Sequence, residues 1–235
     1  MRVISLGCFF VLSMAFLGLH SAKETTEVQP DMNKKCRKFA AEGHCDVNPT
    51  FMMKNCASTY HAWKSQAPVT DFYSIVEKDI YDEDFHFSAL RGKTVYMVNV
   101  ASEDGDSSSN YQILQKLSAL RNEMFEIIIF PCNQFGEKEP RSQRDIAFFA
   151  RKHGFRGVIL SKGDVNGVDT RPTFRFLKAN SDNIHIDGNF EGRFLMHSSG
   201  RTEALHPSVD VLELMERLQA SAASAQMTEP STVEL

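Results

Sequence analysis

Apolar and polar positions divide the chain into regions of different rhythm. Val3 to Leu19 is almost unbroken apolar sequence, opened by Arg2 and followed by the small residues Ser21 and Ala22. A cation, an apolar run and small residues in that order predict a cleaved targeting segment over residues 1–22. A signal anchor is the alternative, but 17 residues is short for a bilayer span. No later stretch is long and apolar enough to cross a membrane. From Val69 the rhythm becomes that of a compact α/β domain. Lys93–Val100 is a continuous apolar, β-branched run that suits a buried central strand. Asn110–Arg121 then spaces Tyr111, Leu114, Leu117 and Leu120 as one helix face. Phe125–Phe130 reads as a second buried strand, stopped by Pro131.

The second half continues in the same alternation. Asp145–His153 predicts a helix with Ile146, Phe149 and Ala150 inward, and Pro172–Lys178 a shorter one with Phe174 and Leu177 on one side. Glu191–Met196, a turn at Ser198-Ser199-Gly200 and the segment from Arg201 predict a β-hairpin. Val209, Leu212, Met215 and Leu218 mark a closing amphipathic helix. The sum is a central sheet flanked by helices, an α/β class, ending in a polar tail over residues 219–235.

Composition narrows what such a chain does. With 26 basic and 30 acidic residues among 235, its formal charge is −4, or −5 once Arg2 leaves with the targeting segment. That balance argues against a general affinity for nucleic acid or acidic membranes. Hydrophobic residues make up 42%, with 18 Phe, which suffices for a hydrophobic core. The last four residues, Thr232-Val-Glu-Leu235, share only Glu-Leu with a Lys-Asp-Glu-Leu retention signal. Secretion is therefore expected, with residence in the endoplasmic-reticulum lumen as the alternative.

Cysteine spacing sets off the segment 31–66. Cys36, Cys45 and Cys56 lie within 21 residues, with Gly43, Asn48, Pro49, Phe51, Met52 and Asn55 among them. This segment resembles the ShK-toxin-type module, a six-cysteine framework. By that resemblance the three are its second, third and fourth cysteines, and a Cys36–Cys56 bridge is implied. Tyr60 and Trp63 stand where the fifth and sixth are expected, so Cys45 lacks its partner. Channel block or partner binding is one reading of such a module. An appendage resting against the main domain is the other, and the loss of half the cysteine framework favours it.

Two blocks name a larger family. Asn99-Val-Ala-Ser102 follows the first strand, and Phe130-Pro-Cys-Asn-Gln-Phe-Gly136 ends the second. With Glu139-Pro140, Gly163–Gly167, Pro172–Leu177 and Asn189-Phe190, they make residues 69–218 resemble the glutathione peroxidase family. The resemblance implies a thioredoxin-like fold with a mixed central sheet. The short connection from Leu177 to Asn189 is similar to that of the monomeric branch, so a monomer is expected. Glutathione or a thioredoxin-like protein would serve as thiol donor only in an active enzyme, and no cofactor is implied.

The catalytic positions depart from that pattern. Where the family carries cysteine or selenocysteine, the chain reads Asn99-Val-Ala-Ser102-Glu103-Asp104-Gly105, which places Asp104 at the peroxidatic position. Lys138 stands for the family's Gln and Gly188 for its Trp, while Asn189 is retained. A carboxylate is a hard, weak nucleophile with no counterpart of the sulfenic or selenenic cycle. The expected protein is thus a catalytically inactive relative acting through a protein partner the sequence does not name, with a Lys138–Asp104 ion pair across the vacated site. The alternative is a hydroperoxide-reducing oxidoreductase that uses Cys132, which the sequence places near that site. A buried packing cysteine is the competing reading of Cys132.

Weaker constellations complete the inventory. The acidic turn Glu103–Asp106 reads as a helix start, and its spacing falls short of a calcium loop. Histidines show no zinc spacing. Lys138, Arg141 and Arg144 form a basic patch of the kind the family turns toward glutathione or proteins, or else a solvated helix start.

Overall fold

The structure, a computed structural model, describes residues 28–182, 185–210 and 213–220. The targeting segment 1–22 and residues 221–235 of the tail lie outside them. Four short helices come first, α1 (Cys36–Ala41), α2 (His44–Val47), α3 (Pro49–Asn55) and α4 (Ala57–Lys64). Asn48 caps α3 by accepting from the Phe51 N–H at 3.3 Å, and Pro49 takes the first helical position. Cys36 and Cys56 are bridged, their Cα atoms 5.3 Å apart, as the module resemblance implies. Around the bridge pack Ala40, Met52 and the free Cys45, with Phe39, Phe51, Tyr60 and Trp63 half-buried at the edge. Such a core is too small to hold without staples or a neighbour.

A two-stranded hairpin follows, β1 (Val76–Lys78) and β2 (Asp84–His86). Then come β3 (Thr94–Val100), α5 (Ser107–Ser118), β4 (Phe125–Pro131), α6 (Gln143–Lys152), β5 (Val158–Ile159), α7 (Pro172–Ala179), β6 (Arg193–Met196) and β7 (Thr202–Leu205). Residues 213–220 form a last helix, α8. The main sheet runs β5-β4-β3-β6-β7; β5, β4 and β3 are parallel, β6 is antiparallel to β3, and β7 is antiparallel to β6. This is the mixed sheet of the thioredoxin-like α/β fold.

Every residue of β3 and β4 is buried, which explains why their sequences are predominantly apolar. The period of two sorts their side chains between two layers. Val98, Val100, Ile127 and Ile129 meet Tyr111, Leu114 and Leu117 of α5 and Ile146 and Ala150 of α6. Val95, Met97, Ile128, Phe130 and Cys132 meet Phe174 and Leu177 of α7 on the other face. The hairpin is tied to that second layer by a buried ion pair of Glu77 with Arg171. Glu77 also accepts from the Thr173 N–H and hydroxyl, at 2.8 and 2.7 Å.

Several boundaries differ from the sequence expectation. Pro131 does not stop β4 but occupies its last place, opposite Val100, where a missing N–H costs the ladder least. Helix α6 buries Ala147 rather than Phe149, which stays half-buried under Arg141. Strand β6 begins at Arg193 because the Gly192 N–H is taken by the Asn99 Oδ1, at 2.8 Å. In α8, Leu214 and Leu218 are buried and Met215 packs beside them, while Leu212 lies outside the described residues. Residues 219 and 220, assigned to the tail, are still helical.

Candidate functional site

The loops after β3 and β4 meet above the sheet and are stitched together. Ser102 donates its N–H and hydroxyl to the two carboxylate oxygens of Glu139, at 2.8 and 2.7 Å. The Glu103 N–H reaches the Lys138 carbonyl at 2.9 Å. Glu139 is fully buried, and burial raises its carboxyl above the usual range, although the bonds from Ser102 pull the other way. The sequence quotes Glu139 only as a family anchor. Its role as the clamp between the two loops becomes visible only in three dimensions.

Asp104 sits two residues before the helix cap, half-buried. Its Oδ1 accepts from the Asp106 N–H at 3.1 Å, and its Oδ2 accepts from the side-chain amide of Asn189 at 3.0 Å. The same amide donates to the Phe135 carbonyl at 3.2 Å. The Asn189 Oδ1 is buried and has no hydrogen-bond partner among the described residues. Positions 104 and 189, brought together by resemblance alone in the sequence, are thus in direct contact.

Asn189 is aimed by a strained turn. Phe190 holds φ of 62°, a left-handed conformation that an aromatic residue rarely adopts. Three contacts hold it there. Its N–H bonds the Asn99 carbonyl at 3.0 Å, its carbonyl accepts from the Arg193 Nε at 2.7 Å, and its ring packs edge-on against Tyr111. The buried Asn99 completes the clamp with its amide on the Gly188 carbonyl at 3.0 Å.

The two substituted positions sit differently from expectation. Lys138 is exposed and forms no ion pair with Asp104. Gly136 and Glu137 both take left-handed backbone, at φ 67° and 55°. That turn folds the Lys138 chain back over Gly136, where an added Cβ would stand 3.6 Å from the lysine Cγ and Cε. Asp104 is therefore held by an amide, not by a cation. At Gly188, an added Cβ would lie 2.8 Å from the Glu191 carboxylate, so the first atom of any side chain there meets Glu191.

Cys132 follows Phe130 in the period-two alternation and therefore points into the α7 layer, away from the helix that begins beside Asp104. It is fully buried, and burial pushes its thiol up to about 11. In the basic patch, the Arg141 Nε lies 3.3 Å from the Glu103 carboxylate and its guanidinium covers Phe149, while Lys138 and Arg144 face solvent. No three His, Cys, Asp or Glu side chains converge as a metal-binding set among the described residues.

Comparison with known proteins gives the family and the fold. The glutathione peroxidase family model matches residues 72–178, and the ShK domain-like model matches residues 28–59. Phospholipid hydroperoxide glutathione peroxidase 1, chloroplastic, of Arabidopsis thaliana is 36% identical over 166 residues, 68% of this chain and 69% of the relative. Glutathione peroxidase 2 of Caenorhabditis elegans is 34% identical over 155 residues, 63% of this chain and 94% of the relative. Among solved structures, that of T. cruzi GPX1 superposes with a TM-score of 0.53 at 23% identity, covering 66% of this chain and 97% of that one, a likeness of fold.

Proposed function

We propose, from the premise that the chain belongs to the glutathione peroxidase family, that it is a secreted relative that does not reduce hydroperoxides and acts by binding. The observation that carries this reading is the Asp104 carboxylate, held by Asn189 at 3.0 Å in the position where the family keeps its thiol or selenol. Peroxide reduction needs a polarisable thiolate or selenolate that attacks the O–O bond and is then reduced back. A carboxylate has no such cycle, and its established roles are acid–base and acyl-type chemistry. Lys138 and Gly188 supply no inward donor in place of the family's Gln and Trp.

The rival route, through Cys132, meets two obstacles. Its thiol is pushed up to about 11, and its side chain is buried in the layer opposite the Asp104 helix. The apolar run at residues 3–19 and the Cys36–Cys56 bridge support an oxidising, secretory location. Among the described residues no helix is long and apolar enough to cross a membrane. A peroxidase assay on the purified chain, with glutathione or thioredoxin as donor, tests the reading. Turnover no faster than a solvent control supports it, and turnover that vanishes in Cys132→Ser contradicts it.

A further inference from the structure

The small N-terminal module does not hang free of the main domain. Arg37 pairs with Asp169, the Gln66 amide donates to the Val168 carbonyl, and a guanidinium N–H of Arg175 donates to the Ala67 carbonyl at 3.3 Å. Gly167 approaches the α1 backbone so closely that an added Cβ would lie 3.0 Å from the Ala41 nitrogen. Between these contacts the two bodies leave a cleft of about 570 Å³. That volume falls within the usual range of small-molecule sites.

Its lining is chemically uneven. Tyr60 and Trp63, which stand where the module framework expects cysteines, form one wall with ring centroids 5.7 Å apart. The facing wall comes from α7. The Lys178 Nζ donates to the Val165 carbonyl and the Asn166 Oδ1, which leaves one of its three N–H groups without an acceptor among the described residues. One turn earlier, the Arg175 guanidinium also lines the cleft, one of its N–H groups donating to the Ala67 carbonyl. Lys64 adds a cation and Asp46 is the lone acid among the lining residues. Two cations on one wall, each with N–H groups beyond those its protein partners use, suit a single anionic ligand between them.

We propose that this cleft binds a small organic anion with a flat apolar body, its charge met by Lys178 and Arg175 and its body resting on Trp63. The site is separate from Asp104 and would operate whether or not peroxide chemistry survives. It also gives the altered module a use: aromatic residues at two cysteine positions, one from each of two lost bridges, form a recognition wall. His185 closes the cleft beside Gly43, whose added Cβ would lie 3.0 Å from the imidazole Nδ1.

Trp63 is the only tryptophan in the chain, so its fluorescence reports occupancy directly. The experiment titrates the full-length protein with 1-anilinonaphthalene-8-sulfonate, and with the neutral N-phenyl-1-naphthylamine as control. The expected result is one saturable quench of Trp63, with the neutral probe about tenfold weaker or more. Arg175→Gln and Lys178→Met should each weaken the anionic probe about tenfold, and Asp46→Asn should tighten it about threefold. Should Lys178→Met fail to fold, Arg175→Gln and the exposed Lys64→Gln decide the matter. Absence of a saturable quench, equal affinity for both probes, or indifference to the Arg175 and Lys64 changes would overturn the proposal.

Discussion

Asn189 and Asp104, 85 residues apart in sequence, are joined by a 3.0 Å hydrogen bond from amide to carboxylate. The donor that by family resemblance would serve a reacting chalcogen here serves an oxygen acid instead. The same amide also donates to the Phe135 carbonyl at 3.2 Å, so Asn189 bridges the Asp104 turn and the loop after β4. The scaffold that aims Asn189, namely Asn99, the strained Phe190 and the Arg193 bond, remains intact around a changed nucleophile position.

Restoring the thiol alone should recover little. Asp104→Cys places a nucleophile near the start of α5, where the helix dipole lowers its pKa. The family's Gln and Trp donors stay absent, and removal of one preorganised donor typically costs roughly 10²–10³-fold in rate. Weak turnover is expected in the single mutant, rising stepwise with Lys138→Gln and then Gly188→Trp in the same assay. The last step needs the Glu191 carboxylate to swing aside, since it lies 2.8 Å from the new Cβ. Family-level activity in Asp104→Cys alone would mean that the remaining site was never degraded.

Cysteine states form the second prediction. Cys36 and Cys56 should be recovered as one bridged peptide, with Cys45 and Cys132 as thiols. Burial pushes both free thiols up to about 11, so at pH 8 roughly a thousandth of each is thiolate. Iodoacetamide should leave both untouched in the folded protein and label both in denaturant. A Cys45–Cys132 disulfide in the non-reduced digest would contradict this arrangement.

Lys178 should leave a signature in stability against pH. Burial draws its amine down to about 8 from an ordinary 10.5, while Asp46 pulls the other way. Between those values the unfolded chain binds more protons at this site than the folded one, so its contribution to stability rises with pH across that window. Below about 8 the amine is charged in both states, and the cost of burying it is fully present. In urea unfolding the wild type should therefore gain stability relative to Lys178→Met from pH 8 to 10. A constant difference across that range would show that Lys178 carries an ordinary pKa.

How far the sequence reaches depends on the length scale of each feature. Strands β3 and β4 are legible because both faces are covered, which leaves runs of seven buried residues that are mostly apolar, with Thr94, Asn99 and Glu126 the polar members. The hairpin β1–β2 and the two-residue β5 are too short to show a period of two, and none is anticipated. The module's helices are equally hidden, being four to eight residues long and held by a disulfide rather than by an apolar stripe. At the site, the motif blocks single out Asp104 and Asn189, which the structure places 3.0 Å apart, side chain to side chain. They mislead about Lys138, whose direction is set by two left-handed residues before it, one of them a glutamate. The cleft under Trp63 has no sequence signature, because each wall belongs to a different body and only docking creates it.

The most direct measurement is steady-state reduction of hydrogen peroxide and of a lipid hydroperoxide by the purified chain, with glutathione and then thioredoxin as donor. With Asp104 in place of a chalcogen and Cys132 sealed in the α7 layer, the predicted rate equals that of the solvent control. Donor-dependent turnover that Cys132→Ser abolishes would contradict the account and make the chain a peroxidase by another route.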